Sequence, residues 1–167
     1  AGATPVQFDF RQFRSYDGII GGVGVPNSPS DVFMKPDGTR FYMLDYSASP
    51  ASVRQYDATV PYDIGSEIGS YDYETNSPLI SARGLWFKPD GLKMYIGGHS
   101  PSSIHEFNLG TAWDVTSAVY TNKSFDPGVT GANIAFSPDG LTLIVGMYVT
   151  DEIRQYSLGT AWDISTV

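Results

Sequence analysis

Hydrophobic positions along this chain follow a phrase that is written three times. Val32 and Met34, Leu85 and Phe87, and Ile134 and Phe136 are each two residues apart, the period of a β-strand, and each pair runs into a Pro-Asp-Gly turn at Pro36-Asp37-Gly38, Pro89-Asp90-Gly91 or Pro138-Asp139-Gly140. The residues between them, Phe33, Trp86 and Ala135, are apolar as well, so both faces of this first strand are predicted to be covered. Proline presets φ at the second turn position and glycine closes the reversal, which joins the strand to an antiparallel neighbour over residues 41–44, 94–97 and 143–146. A third strand carries Val53, Ile104 and Ile153 on one side. Its alternate residues Arg54, His105 and Arg154 are predicted to face solvent. An aromatic-Asp pair comes next (Tyr62-Asp63, Trp113-Asp114, Trp162-Asp163), and a fourth strand is predicted near 67–73 and 118–125.

A strand-rich phrase repeated at about 50 residues predicts an all-β fold, a β-propeller of four-stranded blades with three blades per chain. The whole of 1–167 reads as one propeller arc: residues 30–73 as repeat 1, 74–125 as repeat 2, and 126–167 as repeat 3, which stops before its fourth strand. The missing strand is supplied by the other end. Residues 6–13 alternate apolar and polar, so residues 1–29 hold a closing strand followed by the Gly-rich stretch Asp17–Val25. Three blades cannot close around an axis, and each open face of four strands about 4.8 Å apart and about 20 Å long is on the order of 400 Å². At about 25 cal/mol per Å², such a face is worth roughly 10 kcal/mol as an upper bound, comparable with the stability of a domain. The expectation is therefore a homodimer, or another ring-closing oligomer, completing six blades by exchanging the N-terminal strand, with a piece of a longer repeat protein as the competing answer.

Composition narrows the partners. The formal net charge of −8 repels phosphate backbones, which excludes nucleic acid as a partner, and no apolar run is long enough for membrane insertion. With no cysteine there is neither a disulfide nor thiol chemistry to consider.

The segment Phe87-Lys-Pro-Asp-Gly-Leu-Lys-Met-Tyr95, with Leu109-Gly-Thr-Ala-Trp-Asp114 and again Leu158-Gly-Thr-Ala-Trp-Asp-Ile-Ser-Thr166, resembles the repeat of the YVTN and related Pro-Asp-Gly β-propellers. It is similar to repeats of bacterial and phage surface or tail-associated proteins. The resemblance implies a displayed scaffold or adhesion module, outside the cell, at its surface or on a virion, with a virion protein or a surface glycan as a further partner. It supplies no catalytic residues. The first repeat departs from it, with Ala58-Thr-Val-Pro-Tyr-Asp63 in the corresponding place.

Repeated features are expected to serve the blades: the turn residues Pro36, Asp37, Gly38, Pro89, Asp90, Gly91, Pro138, Asp139 and Gly140, and Asp63, Asp114 and Asp163 as local acceptors. Recognition is expected where the repeats disagree. Tyr46, His99 and Tyr148 share one column, eight residues beyond each turn glycine, and Asp45, Asp151 and Arg83 lie in neighbouring loops. These six form the candidate ligand site, a polar-aromatic level suited to a carbohydrate or a peptide loop. The two histidines, His99 and His105, make no metal-ligand pattern, so no metal site and no cofactor are expected, a lone structural Ca²⁺ apart. Three functions remain in play: a non-catalytic scaffold, placed first and with it the expectation of no enzyme; a lectin-like propeller using the Tyr46 level; and a metal-dependent hydrolase or lactonase-like enzyme.

Overall fold

The computed structural model describes residues 28–46, 50–74, 79–100, 102–128 and 132–167. Among them the chain is all-β, with antiparallel sheets and only short 3-10 turns. The first sheet runs β1 (Pro29–Met34), β2 (Arg40–Asp45), β3 (Ser52–Ala58), β4 (Glu67–Glu74), and the second β5 (Ile80–Phe87), β6 (Lys93–Ser100), β7 (Ile104–Leu109), β8 (Ala118–Phe125). The third has three strands, β9 (Ala132–Phe136), β10 (Thr142–Met147) and β11 (Glu152–Ser157). The predicted closing strand at 6–13 and the Gly-rich stretch lie outside the described residues.

The sheets stack face to face, and alternation along each strand decides what fills the gaps. Tyr42, Leu44 and Val53 of the first sheet meet Leu85, Phe87, Met94 and Phe107 of the second in one core. Tyr95 and Ile104, on the opposite face of the second sheet, meet Ile134, Phe136, Leu143 and Val145 of the third in another. Being covered on both faces, the second sheet buries even polar residues such as His105 and Glu106. This corrects the expectation for the third-strand column: His105 is 3 % exposed, its ring stacked at 5.0 Å on Tyr120, because another sheet lies over the face that alternation alone would give to water.

The repeated phrase builds the same corner in each sheet. Gly38, Gly91 and Gly140 adopt φ of 72°, 73° and 73°, and the N–H of Tyr62, Trp113 or Trp162 donates to the glycine's carbonyl at 2.9–3.0 Å. Those three aromatics are themselves left-handed, at φ 64°, 66° and 63°, a conformation that bulky residues adopt only when their surroundings hold them there. The following aspartates accept from the backbone two residues on, Asp63 from Gly65, Asp114 from Thr116 and Asp163 from Ser165, which starts a 3-10 turn at Ile64–Ser66, Val115–Ser117 and Ile164–Thr166.

Candidate functional site

The first strands of the three sheets lie side by side, β1 against β5 and β5 against β9. Register is interrupted near the start of two of them. Between Ala82 and Gly84 one residue of β5 has no partner on β6, and that residue is Arg83; the same irregularity in β1, between Pro29 and Asp31, falls on Ser30. A bulge turns its side chain out of the ordinary alternation. Ser81, at φ 57°, marks the twist that accompanies it.

Arg83 consequently lines a cavity of about 360 Å³ together with Ser28, Ser30, Tyr46, Asn133 and Tyr148, so all three sheets contribute to its wall. Its guanidinium carbon lies 4.6 Å from the centre of the Tyr46 ring and 4.7 Å from that of Tyr148. Such an arrangement holds the cation by the negative faces of two rings and leaves its N–H edge for something else. The Arg83 Nε is buried and has no hydrogen-bond partner among the described residues. Beside it, Ser30 Oγ donates to the Ala82 carbonyl at 2.9 Å, pinning β1 to the bulge. His99 meets the Tyr148 ring at 6.5 Å, edge to face.

Four of the six expected residues are therefore assembled: Tyr46, Arg83 and Tyr148 in direct contact, and His99 against Tyr148. The other two stand apart. Asp45 ends β2 and is 6 % exposed, and Asp151 sits exposed in the turn between β10 and β11 at φ 52°; neither lines the cavity. Ser28, Ser30 and Asn133 were not foreseen. Their only signal was position, since Ser30 and Arg83 both lie one residue before the columns that open the repeated strand. No group of three or more His, Asp or Glu placed to hold a metal occurs among the described residues.

Elsewhere, acidic and basic groups are engaged in holding the sheets. Glu106 is 1 % exposed, pairs with Lys93 and accepts from the Ile164 N–H at 3.4 Å. Hydrogen bonding to Lys123 draws the Asp163 carboxyl down to about 2, and burial pushes His105 down to about 4. Burial also raises the phenols of Tyr42 and Tyr95, whose hydroxyls donate to the carbonyls of Trp113 and Trp162 at 2.6 and 2.7 Å.

No known family matches the chain, and no curated protein matches it in sequence. Solved structures do. A 6-phosphogluconolactonase candidate from Bacteroides fragilis superposes with a TM-score of 0.59 at 16 % identity, over 83 % of this chain and 38 % of that one. A protein of unknown function from Desulfotomaculum acetoxidans gives 0.56 at 16 % identity, over 83 % and 44 %. Hydrazine synthase of Kuenenia stuttgartiensis gives 0.55 at 15 % identity, over 79 % and 46 %. The chain thus spans less than half the length of the solved proteins it resembles.

These likenesses correct the functional expectation drawn from the repeats. A displayed, non-catalytic scaffold was expected first, with no enzyme, ahead of a lectin-like propeller and a lactonase-like enzyme; the chains sharing this architecture include a 6-phosphogluconolactonase candidate, which overturns that order. The phrase encodes turns and sheet contacts, which an enzyme needs as much as an adhesin does. At such identities the shared property is the fold: an all-β, propeller-like stack of antiparallel sheets.

Proposed function

We propose that this chain is part of a lactonase-like propeller enzyme that hydrolyses a polyhydroxylated lactone at the Arg83 cavity. The observation that carries the reading is the Arg83 guanidinium, clasped by Tyr46 and Tyr148 and lacking a hydrogen-bond partner at Nε. A cation so placed on a cavity wall suits a ligand that becomes negative. In lactone hydrolysis, water adds to the carbonyl carbon, charge gathers on the carbonyl oxygen, the ring C–O bond breaks, and the ring oxygen leaves as a hydroxyl beside a new carboxylate. Arg83 stabilises first the oxyanion and then the carboxylate. His99, which abuts Tyr148 but is not on the cavity wall, takes the proton through an intervening water and returns it to the departing oxygen, while Ser28, Ser30 and Asn133 on the wall offer hydrogen bonds to the hydroxyls of the ring. The likeness to a lactonase candidate supports the choice of reaction.

In the same reading the three sheets are three blades of a larger ring, and a second copy closes it to six. Supporting this, β11 has no strand on its outer edge among the described residues, whereas β3 and β7 pair with β4 and β8.

The test is acid release from glucono-δ-lactone and its 6-phosphate in a pH-stat, corrected for spontaneous opening. Acceleration by the protein, lost by at least a hundredfold in Arg83→Ala, is expected. A rate equal to the spontaneous one on both substrates would end the proposal.

A further inference from the structure

Among the hydrogen bonds that join neighbouring sheets, one recurs from the third-strand column to the 3-10 turn of the next sheet. Gln55, on β3, accepts through Oε1 from the Val115 N–H at 3.1 Å, and Glu106, in the same column of β7, accepts from the Ile164 N–H. Val115 and Ile164 each open the 3-10 turn of the following sheet. The third member of the acceptor column is Gln155, on β11, and it is exposed; the third member of the donor column is Ile64, which opens the turn of the first sheet and has no partner for its N–H among the described residues. One acceptor and one donor are left over, on the two opposite outer faces.

The apolar columns around them agree. Val53 and Ile104 are 0 % exposed while Ile153 is 82 % exposed, and Tyr42 and Tyr95 are 0 % exposed while Ile144 is 40 % exposed. On the receiving side, Leu85 and Ile134 are 2 % and 7 % exposed while Val32 is 62 % exposed. The outer face of the third sheet therefore presents what the first two sheets bury. On the outer face of the first sheet the opening is local: Val32 is exposed, whereas Phe41 and Tyr56, at 2 % and 1 %, are already covered within the chain.

From these columns we infer that the third sheet docks on the first sheet of a second copy, with Gln155 Oε1 accepting from the N–H of Ile64 of that copy and Ile144 and Ile153 packed over its Val32. The inference rests on the ring-closure reading and adds the contact that fixes register and partner. A second copy is the occupant because the unmatched donor and acceptor belong to one repeating series, so the chain carries both halves of the missing contact. Twofold repetition forms the contact twice and sets two Arg83 cavities about one axis.

Sedimentation equilibrium would decide it, with wild type expected at twice the 18.2 kDa chain mass. Gln155→Leu keeps the shape and removes the acceptor. Ile64→Pro removes the donor at the first position of a turn, where proline is tolerated. Each should weaken the dimer about 30-fold, as loss of two hydrogen bonds of ordinary strength. The double variant should be no weaker than either single one. Thermal melts of the same samples confirm that the variants fold. A wild type that stays monomeric at every concentration overturns ring closure itself. A wild-type dimer unaffected by both folded variants, or variants with additive effects, overturns the Gln155–Ile64 contact alone. Lactone hydrolysis is scored separately, so a dimer held through Gln155 with no lactonase activity supports this contact and removes only the catalytic reading.

Discussion

The indole of Trp162 occupies the space that a side chain on Gly140 would need: a Cβ there would lie 2.3 Å from the ring, and the two residues are also joined backbone to backbone. Trp113 stands in the same relation to Gly91 at 2.4 Å, and Tyr62 to Gly38 at 2.6 Å. The glycine of each Pro-Asp-Gly turn is thus required twice, for its positive φ and as the floor beneath an aromatic ring. Gly140→Ala should cost roughly 2–4 kcal/mol, from left-handed strain together with overpacking. A denaturant melt checks this, and a loss below about 0.5 kcal/mol would mean that the corner yields freely.

Glu106 joins β6, β7 and the last 3-10 turn through a single buried carboxylate. Glu106→Leu strands the Lys93 ammonium and the Ile164 N–H, and should destabilise by about 3–5 kcal/mol. Glu106→Gln should cost distinctly less, because Gln55 performs the same contact one sheet earlier. Equal losses in urea midpoints would show that charge, rather than the acceptor, matters.

The pH dependence has a definite sign. His105 is pushed by burial from 6.5 to about 4, so the folded state resists a proton that the unfolded chain accepts. Above pH 6.5 both states are neutral there and nothing is lost. Stability should fall as pH drops from 6.5 towards 4, by on the order of 3 kcal/mol over the window. Asp163, drawn down by Lys123, contributes stability that is present above its ordinary value of 3.8 and lost as pH falls towards 2, and so lies below that window. Thermal midpoints between pH 7 and 4.5 should decline in wild type and flatten in His105→Gln; parallel profiles would count against His105.

Two rings hold Arg83, and they are expected to act through their faces rather than their hydroxyls. Tyr148→Phe should leave lactone turnover within about twofold, and Tyr148→Ala should weaken it by roughly 3- to 30-fold, the worth of one cation–π contact. Steady-state rates of both variants distinguish the roles, since an equal loss in Phe and Ala would assign the work to the phenol.

Much of this architecture is written locally. Period-two columns and Pro-Asp-Gly turns are properties of consecutive residues, so they specify β1 with β2, β5 with β6 and β9 with β10, and the aromatic-Asp pair specifies the turn that follows. Alternation cannot say what lies against a face, which is why His105 was given to solvent when a neighbouring sheet covers it. Nor does composition reveal that Tyr62, Trp113 and Trp162 are left-handed, because that conformation is imposed by the ring seated over glycine. The column Tyr46, His99, Tyr148 was legible as a level. Arg83 was legible as its neighbour, whereas its seat between the faces of Tyr46 and Tyr148 was not.

The strands, the turns that join them and the repeat that stacks them can be read from the chain alone, because each depends on the order of neighbouring side chains. The geometry of the site comes from long-range packing: a one-residue bulge in β5 re-aims Arg83, and the stacking of three sheets brings Tyr46 and Tyr148, far apart in the chain, to either side of it. Distances between sheets are set by packing across their faces, and no local rule of the chain contains them.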